Sequence, residues 1–317
     1  MNVYELFKAR GKFRLKHYIY AWIISARLFA LPWVILYTIF GILLAGITNI
    51  ERAIASCLIV AFILLSSHFN NNYKDVELGI DKYVDSIEEA EKICSTLKPY
   101  TAGAWMVPLR ITSIKFQKAN DFLFMTLAIL TYLIFFTKEL SILISSLPIL
   151  LLGLSTGRLY TTFFKYRKLG EVAAFLGHGF GTTAFGFLSQ IPDIITAILI
   201  GIPTGLISAL AYSVDQFIDI KTDFIKRVRC IYESWFNSRM PLGLYVLVTF
   251  VFWINVVIAW VVAGIYPRGV LIVISLIPAF LFFSPQLEYN REKALLNIVI
   301  IAIVLIPLLM CIGVIIK

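Results

Sequence analysis

Nine apolar runs set the limits on what this chain can fold into. They lie near residues 22–47, 51–69, 120–137, 140–157, 171–190, 193–214, 243–265, 269–285 and 295–316. Each is long enough, or nearly so, to cross a bilayer at ~20 helical residues. Hydrophobic residues make up 60% of the 317 and charged residues only 15%. A water-soluble fold of this length cannot hide that much apolar surface, so the expected solvent is lipid. In lipid every backbone N–H and C=O must be bonded within the protein. The runs lack the period-two alternation of a lipid-facing barrel, which leaves helices. The expected fold is an all-α membrane protein, one domain over 1–317, with nine transmembrane helices bundled around a central polar cavity open to the cytoplasm.

Positive charge orients such a bundle. With the N-terminus inside, the inner segments and the inner end of the first span hold 24 of the 28 Lys and Arg, leaving Arg52, Lys138, Arg268 and Lys317 outside. That asymmetry predicts a multi-pass protein of the cell membrane, N-terminus in and C-terminus out. The net charge of +9 is accounted for in this way and does not gather into a nucleic-acid groove. Residues 1–21 read as a basic cytoplasmic lead-in that is kept, and 82–119 and 220–242 as cytoplasmic cap loops. Within those loops Ile87, Ala90, Ile93 and Leu97, and Phe224, Val228, Ile231 and Trp235, recur at helical spacing. Such amphipathic helices either lie in the interface or close over the inner mouth. Cys57, Cys94, Cys230 and Cys311 have neither metal spacing nor the look of a disulfide framework.

Most inner helix exits are basic, but two are acidic. The run at 51–69 leads into Asn71-Asn-Tyr-Lys-Asp75-Val-Glu-Leu-Gly79-Ile-Asp81, and the run at 193–214 into Asp215-Gln-Phe-Ile-Asp219, with Asp223 one turn on. Residues four apart share a helix face, so each exit gathers oxygen ligands. Each cluster is followed by an amphipathic loop, which suggests a repeat of architecture between the halves. Carboxylates packed together repel unless a cation joins them. Mg2+ takes one or two carboxylates plus substrate phosphate oxygens. The two exits therefore suit a diphosphate held through metal at the lipid edge, its tail running into the bundle.

These residues resemble the UbiA superfamily of intramembrane prenyltransferases, which carries an Asn-Asp-x-x-Asp motif after the second span and an Asp-x-x-x-Asp motif after the sixth. The dihydroxynaphthoate (menaquinone-pathway) branch is similar in its Asp75-x-x-x-Gly79-x-Asp81 ending. Arg27 in AWIISARLFALP, and Tyr160, Arg167, Gly170 and Glu171 in LYTTFFKYRKLGE, stand in register with that branch. Asn72 departs from the pattern, standing where the family has Asp. The resemblance implies Mg2+-dependent transfer of a polyprenyl group from its diphosphate to a lipophilic, aromatic acceptor in quinone-like lipid biosynthesis. It implies metal ligands at Asn71, Asp75, Asp81, Asp215 and Asp219. Arg27, Asn71, Lys74 and Arg167 would contact the diphosphate. Asp75, Asp219 and Tyr160 would take catalytic roles, Tyr160 as an aromatic face toward an allylic cation. The implied partners are polyprenyl diphosphate, the acceptor and membrane lipid, with no nucleic acid and no obligate protein partner.

Two alternatives stay open. A glycerol-phosphate ether lipid is the other acceptor. A cation transporter with an Asp-lined site is the other class, although transporter sites usually lie near the midplane. Gly177, Gly179, Gly181 and Gly186 are spaced for close helix packing, and His178 among them is either packed or a ligand or proton carrier.

Overall fold

The computed structural model describes residues 3–84, 86–96, 102–165, 167–219, 241–289 and 291–316, without side chains at 95–96, 215–219, 288–289, 291–293 and 295. Among the described residues there is no strand, and eight helices are long and apolar enough to span a membrane. Two short helices come first, α1 (Val3–Ala9) and α2 (Leu15–Ala26), followed by α3 (Leu31–Ala45) and α4 (Ile50–Glu77). A small helix, α5 (Ile87–Thr96), precedes α6 (Ile114–Phe136) and α7 (Leu140–Leu159). Helices α8 (Gly170–Ala174) and α9 (Gly181–Leu188) are joined by a π-helical stretch at Phe175–Phe180. The remainder is α10 (Ile194–Asp219), α11 (Leu242–Val262), α12 (Ile277–Tyr289), α13 (Arg291–Ile300) and α14 (Ile306–Ile316).

Span boundaries differ from the apolar runs where backbone chemistry intervenes. The run at 22–47 is two helices. Arg27 adopts a left-handed conformation at φ 50° and its N–H caps onto Ile24 O, ending α2. A 3-10 turn, Leu28–Ala30, leads into α3, whose first turn holds Pro32, where no N–H is required. Trp22 and Ile23 therefore belong to α2 and not to the first span. The fourth span runs on through a π-helical stretch, Tyr160–Lys165, so that Arg158 and Lys165 are part of a helix instead of a loop. The run expected at 171–190 is Gly170–Leu188 in three helical pieces, and it is not one of the eight long helices.

Glycines set how closely the helices approach. A Cβ on Gly41 would strike Thr183 O, one on Gly186 would strike Thr38 O, and one on Gly179 would strike Thr204 O. α3 and α10 thus meet the α8–α9 segment backbone to backbone, as small residues permit in membranes where no hydrophobic drive exists between helices. Gln190 fastens the other end, its Oε1 accepting from the N–H groups of Thr48 and Asn49 at 3.0 and 2.9 Å. Asn49 in turn caps α4 by accepting from the Arg52 N–H. Trp253, 1% exposed, donates from Nε1 to Pro203 O at 2.8 Å, the carbonyl of a helix-interior proline's own residue.

The N-terminal lead-in and the first cap segment form a second, smaller core. Val3, Leu6 and Phe7 of α1 pack with Ala90 and Ile93 of α5 and with Met106 and Leu109. The helical spacing read from Ala90 and Ile93 is realised in α5, but Ile87 is exposed. Leu97 and the second amphipathic segment, Phe224 to Trp235, lie outside the described residues, as does Cys230. Cys57, Cys94 and Cys311 are free thiols.

Candidate functional site

One face of α4 organises the site. Val60, Leu64 and Ser67 line a narrow apolar cavity, and Asn71 and Asp75 continue the same face beyond it. The steps of four, three, four and four are those of a helix stripe. Asp75 lies eight residues past Ser67, ~12 Å along the axis. The cavity is also bordered by Gly153, Gly157, Tyr160, Gly177, His178 and Phe185. It holds about 50 Å³, far below the roughly 300–1,000 Å³ of common ligand pockets. A long tail would have to part the helices there, where four glycines, Gly153, Gly157, Gly177 and Gly181, line the seam.

Beyond the cavity, two helices run side by side in register. Thr161 Oγ1 donates to Asn71 Oδ1 at 2.6 Å, and Lys165 Nζ donates to Asp75 Oδ2 at 3.0 Å. Both contacts come from the π-helical stretch after α7. Such stretches are frequent at functional sites, and two of them, Tyr160–Lys165 and Phe175–Phe180, contribute residues to this cavity. Asp75 is fully buried, and its Oδ1 has no hydrogen-bond partner among the described residues. A buried carboxylate oxygen left unmatched is costly, and such a group calls for explanation. A hard cation is a fitting partner for it. Gly79, at φ 68°, ends α4, and the main-chain N–H groups of Ile80 and Asp81 both donate to the main-chain O of Asp75 at 2.8 and 3.0 Å. This is the helix stop that a left-handed glycine makes.

The other predicted residues are placed as follows. Tyr160 lines the cavity, and its hydroxyl meets that of Tyr212 on α10, with the rings edge to face. Asp215 and Asp219 follow Tyr212 on the last turns of α10; their backbone is described and their side chains are not, while Asp223 lies outside the described residues. Through Lys165, Tyr160 and Tyr212, the ends of α4, α7 and α10 sit on one side of the bundle. Arg27 Nη2 donates to Asn72 Oδ1 at 3.4 Å, and its buried Nε has no hydrogen-bond partner among the described residues. Lys74 points away from Asp75 and pairs with Glu77 at 2.9 Å. Arg167 stacks on Phe163 at 4.4 Å. Among the described residues no group of three His, Cys, Asp or Glu is gathered for a metal.

Asn72, the departure from the family pattern, is built into the frame. It is fully buried and donates to Ser25 O at 3.0 Å and Gln117 Oε1 at 3.3 Å. An amide satisfies these acceptors where a carboxylate, which only accepts, would not. His178 stacks on Trp33, with ring centroids 4.7 Å apart, and its buried Nδ1 has no hydrogen-bond partner among the described residues. Gly177 and Gly181 border the cavity beside it, whereas Gly179 and Gly186 serve packing.

Sequence reasoning missed a buried charge cluster. Asp121 of α6, 3% exposed, pairs with Arg158 of α7 and accepts from Ser66 at 2.6 Å and from Asn70 and Tyr73 at 3.1 Å. The available signal was an acid near the head of an apolar run, since ionisable residues inside spans rarely stand alone. Lys165, the partner of Asp75, was hidden because the sequence assigned it to a loop.

Neither a protein-family model nor a curated protein sequence matches the chain. A solved structure does: that of a digeranylgeranylglyceryl phosphate synthase in membranes, at 15% identity and a TM-score of 0.60, over 94% of this chain and 99% of that one. A likeness at that identity establishes a shared all-helical membrane fold over nearly the whole length. Fold alone does not assign chemistry.

Proposed function

We propose that this protein is a Mg2+-dependent prenyltransferase, moving a polyprenyl group from its diphosphate to a hydroxyl of a glyceryl phosphate lipid. The observation that carries the reading is the Asp75 carboxylate, buried with one oxygen unmatched among the described residues, on the helix face that continues out of an apolar cavity. A tail in the cavity would leave its diphosphate beside Asp75. Asn71, Asp75, Asp81, Asp215 and Asp219 would hold Mg2+, which supplies charge neutralisation for the leaving diphosphate. Lys165, not foreseen from sequence, and Arg27 add cationic contacts to its oxygens.

In the reaction the allylic C–O bond breaks and its electron pair leaves with diphosphate. The acceptor hydroxyl oxygen forms the new C–O bond and gives up its proton. Tyr160 offers an aromatic face to the cation, and His178 borders the same cavity as a base for the proton. Surrounding helices exclude the water that would otherwise quench the cation.

The choice of acceptor reverses the order expected from sequence. The structural neighbour makes digeranylgeranylglyceryl phosphate, which favours a glyceryl phosphate acceptor. An aromatic acceptor is the second reading, favoured by the Gly79-x-Asp81 ending. The whole chain would act as one domain, nine spans deep when Gly170–Leu188 is included, with this end of the bundle facing the cytoplasm.

Purified protein incubated with labelled geranylgeranyl diphosphate, Mg2+ and either geranylgeranylglyceryl phosphate or dihydroxynaphthoate tests both points. Labelled ether lipid that disappears with EDTA supports the reading. Labelled naphthoate alone moves the assignment to the second acceptor. No adduct with either, together with Mg2+ or Na+ uptake into vesicles, overturns prenyl transfer in favour of a transporter.

A further inference from the structure

We propose that a second, basic pocket binds the anionic headgroup of a membrane lipid. It lies between the turn joining α1 to α2 and the start of α6, and holds about 990 Å³. Four cations line it, Arg10, Lys12, Arg110 and Lys115, and none of the described lining residues is acidic. Two are steadied by rings: Arg10 lies over Phe7 at 4.2 Å and Arg110 over Tyr83 at 5.2 Å. Ser113 caps α6 by accepting from the Phe116 N–H, so the positive end of a 23-residue helix opens on the same pocket. Phe13 and Tyr18 add apolar wall. Cations and helix N–H groups together with aromatic wall suit a phosphate attached to an apolar body.

The position of α2 decides between a lipid and a soluble phosphate. Leu15, Tyr18, Ile19 and Ile23 are 74%, 55%, 51% and 38% exposed, and their spacing puts them on one face. A helix with an outward apolar stripe directly after Arg10, Lys12 and Arg14, and with Lys16 in its first turn, lies along a membrane surface. α6, which is long and apolar enough to cross a bilayer, starts from the same point, at Ile114. The pocket therefore sits at headgroup depth, where anionic lipid phosphates are concentrated and each nearby Lys or Arg strengthens attachment. None of these residues belongs to the Asp75 site, so the inference stands apart from the prenyltransferase reading.

Native mass spectrometry of the full chain in detergent, titrated with dioleoyl phosphatidylglycerol or dioleoyl phosphatidylcholine, tests it. One phosphatidylglycerol should be retained about 10-fold more tightly than phosphatidylcholine. Arg10→Gln/Lys12→Gln/Lys115→Gln should lose about 10-fold of that affinity, and Lys115→Gln alone about 3-fold. Arg14→Gln/Lys16→Gln removes charge from exposed residues of the same lead-in outside the pocket, and should change it less than about 2-fold. Equal retention of both lipids, or equal loss in the control pair, overturns the proposal. Displacement of the lipid by millimolar glycerol 3-phosphate overturns the lipid assignment and marks a soluble-anion site. If the triple variant fails to fold, the single variant decides the matter.

Discussion

Asp75 and Asp121 are two buried carboxylates on neighbouring helices, each paired with a cation from the α7 segment, and they are finished differently. Asp121 has Arg158 and accepts from Ser66, Asn70 and Tyr73, so both of its oxygens are engaged. Asp75 has Lys165 on Oδ2, and Oδ1 has no hydrogen-bond partner among the described residues. A satisfied buried network rigidifies and specifies a frame. An unsatisfied one is a capacity held in reserve, which is what a ligand site requires. Asp121 thus fixes how α4, α6 and α7 stand together, and under the proposed function Asp75 would use that fixed stand to face a ligand.

The comparison breaks if the two carboxylates respond alike. Asp121→Ala should cost about 3–5 kcal/mol of stability, because Arg158 is left without its partner. Thermal unfolding in detergent measures this, and Asp121→Leu/Arg158→Met should recover most of the loss. Asp75→Asn keeps the shape, so its main effect falls on turnover, about 10²–10³-fold lower in the labelled-diphosphate assay. Asp75→Asn unfolding as readily as Asp121→Ala while leaving turnover intact would make Asp75 structural. Lys165→Met should lower turnover about 10-fold. It should also lower the Mg2+ concentration needed for half-maximal activity, since both Asp75 oxygens become available to the metal; a raised requirement would mean that Lys165 helps to build the metal site.

The smallest effect is a pH dependence at the opposite end of the bundle. The Arg52 guanidinium beside Glu139 holds that carboxyl below its ordinary value. A depressed folded-state pKa contributes stability above the unfolded value, and that contribution is lost as pH falls through the folded one. Glu139 is about half exposed, at 47%, which keeps the pair under about 1 kcal/mol. Glu139→Gln should therefore narrow the stability difference between pH 6 and pH 3 by that small amount, as read from thermal unfolding at the two pH values.

The helical membrane class was legible because apolar length and backbone bonding in lipid leave few solutions. Most spans were found within several residues. The exceptions have local causes: Arg27 in a left-handed conformation divides the first run, and a π-helical stretch carries the fourth span on to Lys165. The Asp75 site was legible as oxygen-bearing residues four apart on a helix exit. Its partners were not, because Thr161 and Lys165 are ninety residues away in sequence. Asn72 read as a lost charge, and only its contacts with Ser25 and Gln117 reveal a packed amide.

By itself the sequence determined that the chain is a bundle of membrane helices and that two of their exits carry acids, since hydrophobic length and residue type act locally. The tertiary structure decided which buried acid is closed and which is open. That difference depends on what neighbouring helices bring to each oxygen, and no periodicity along one helix encodes it.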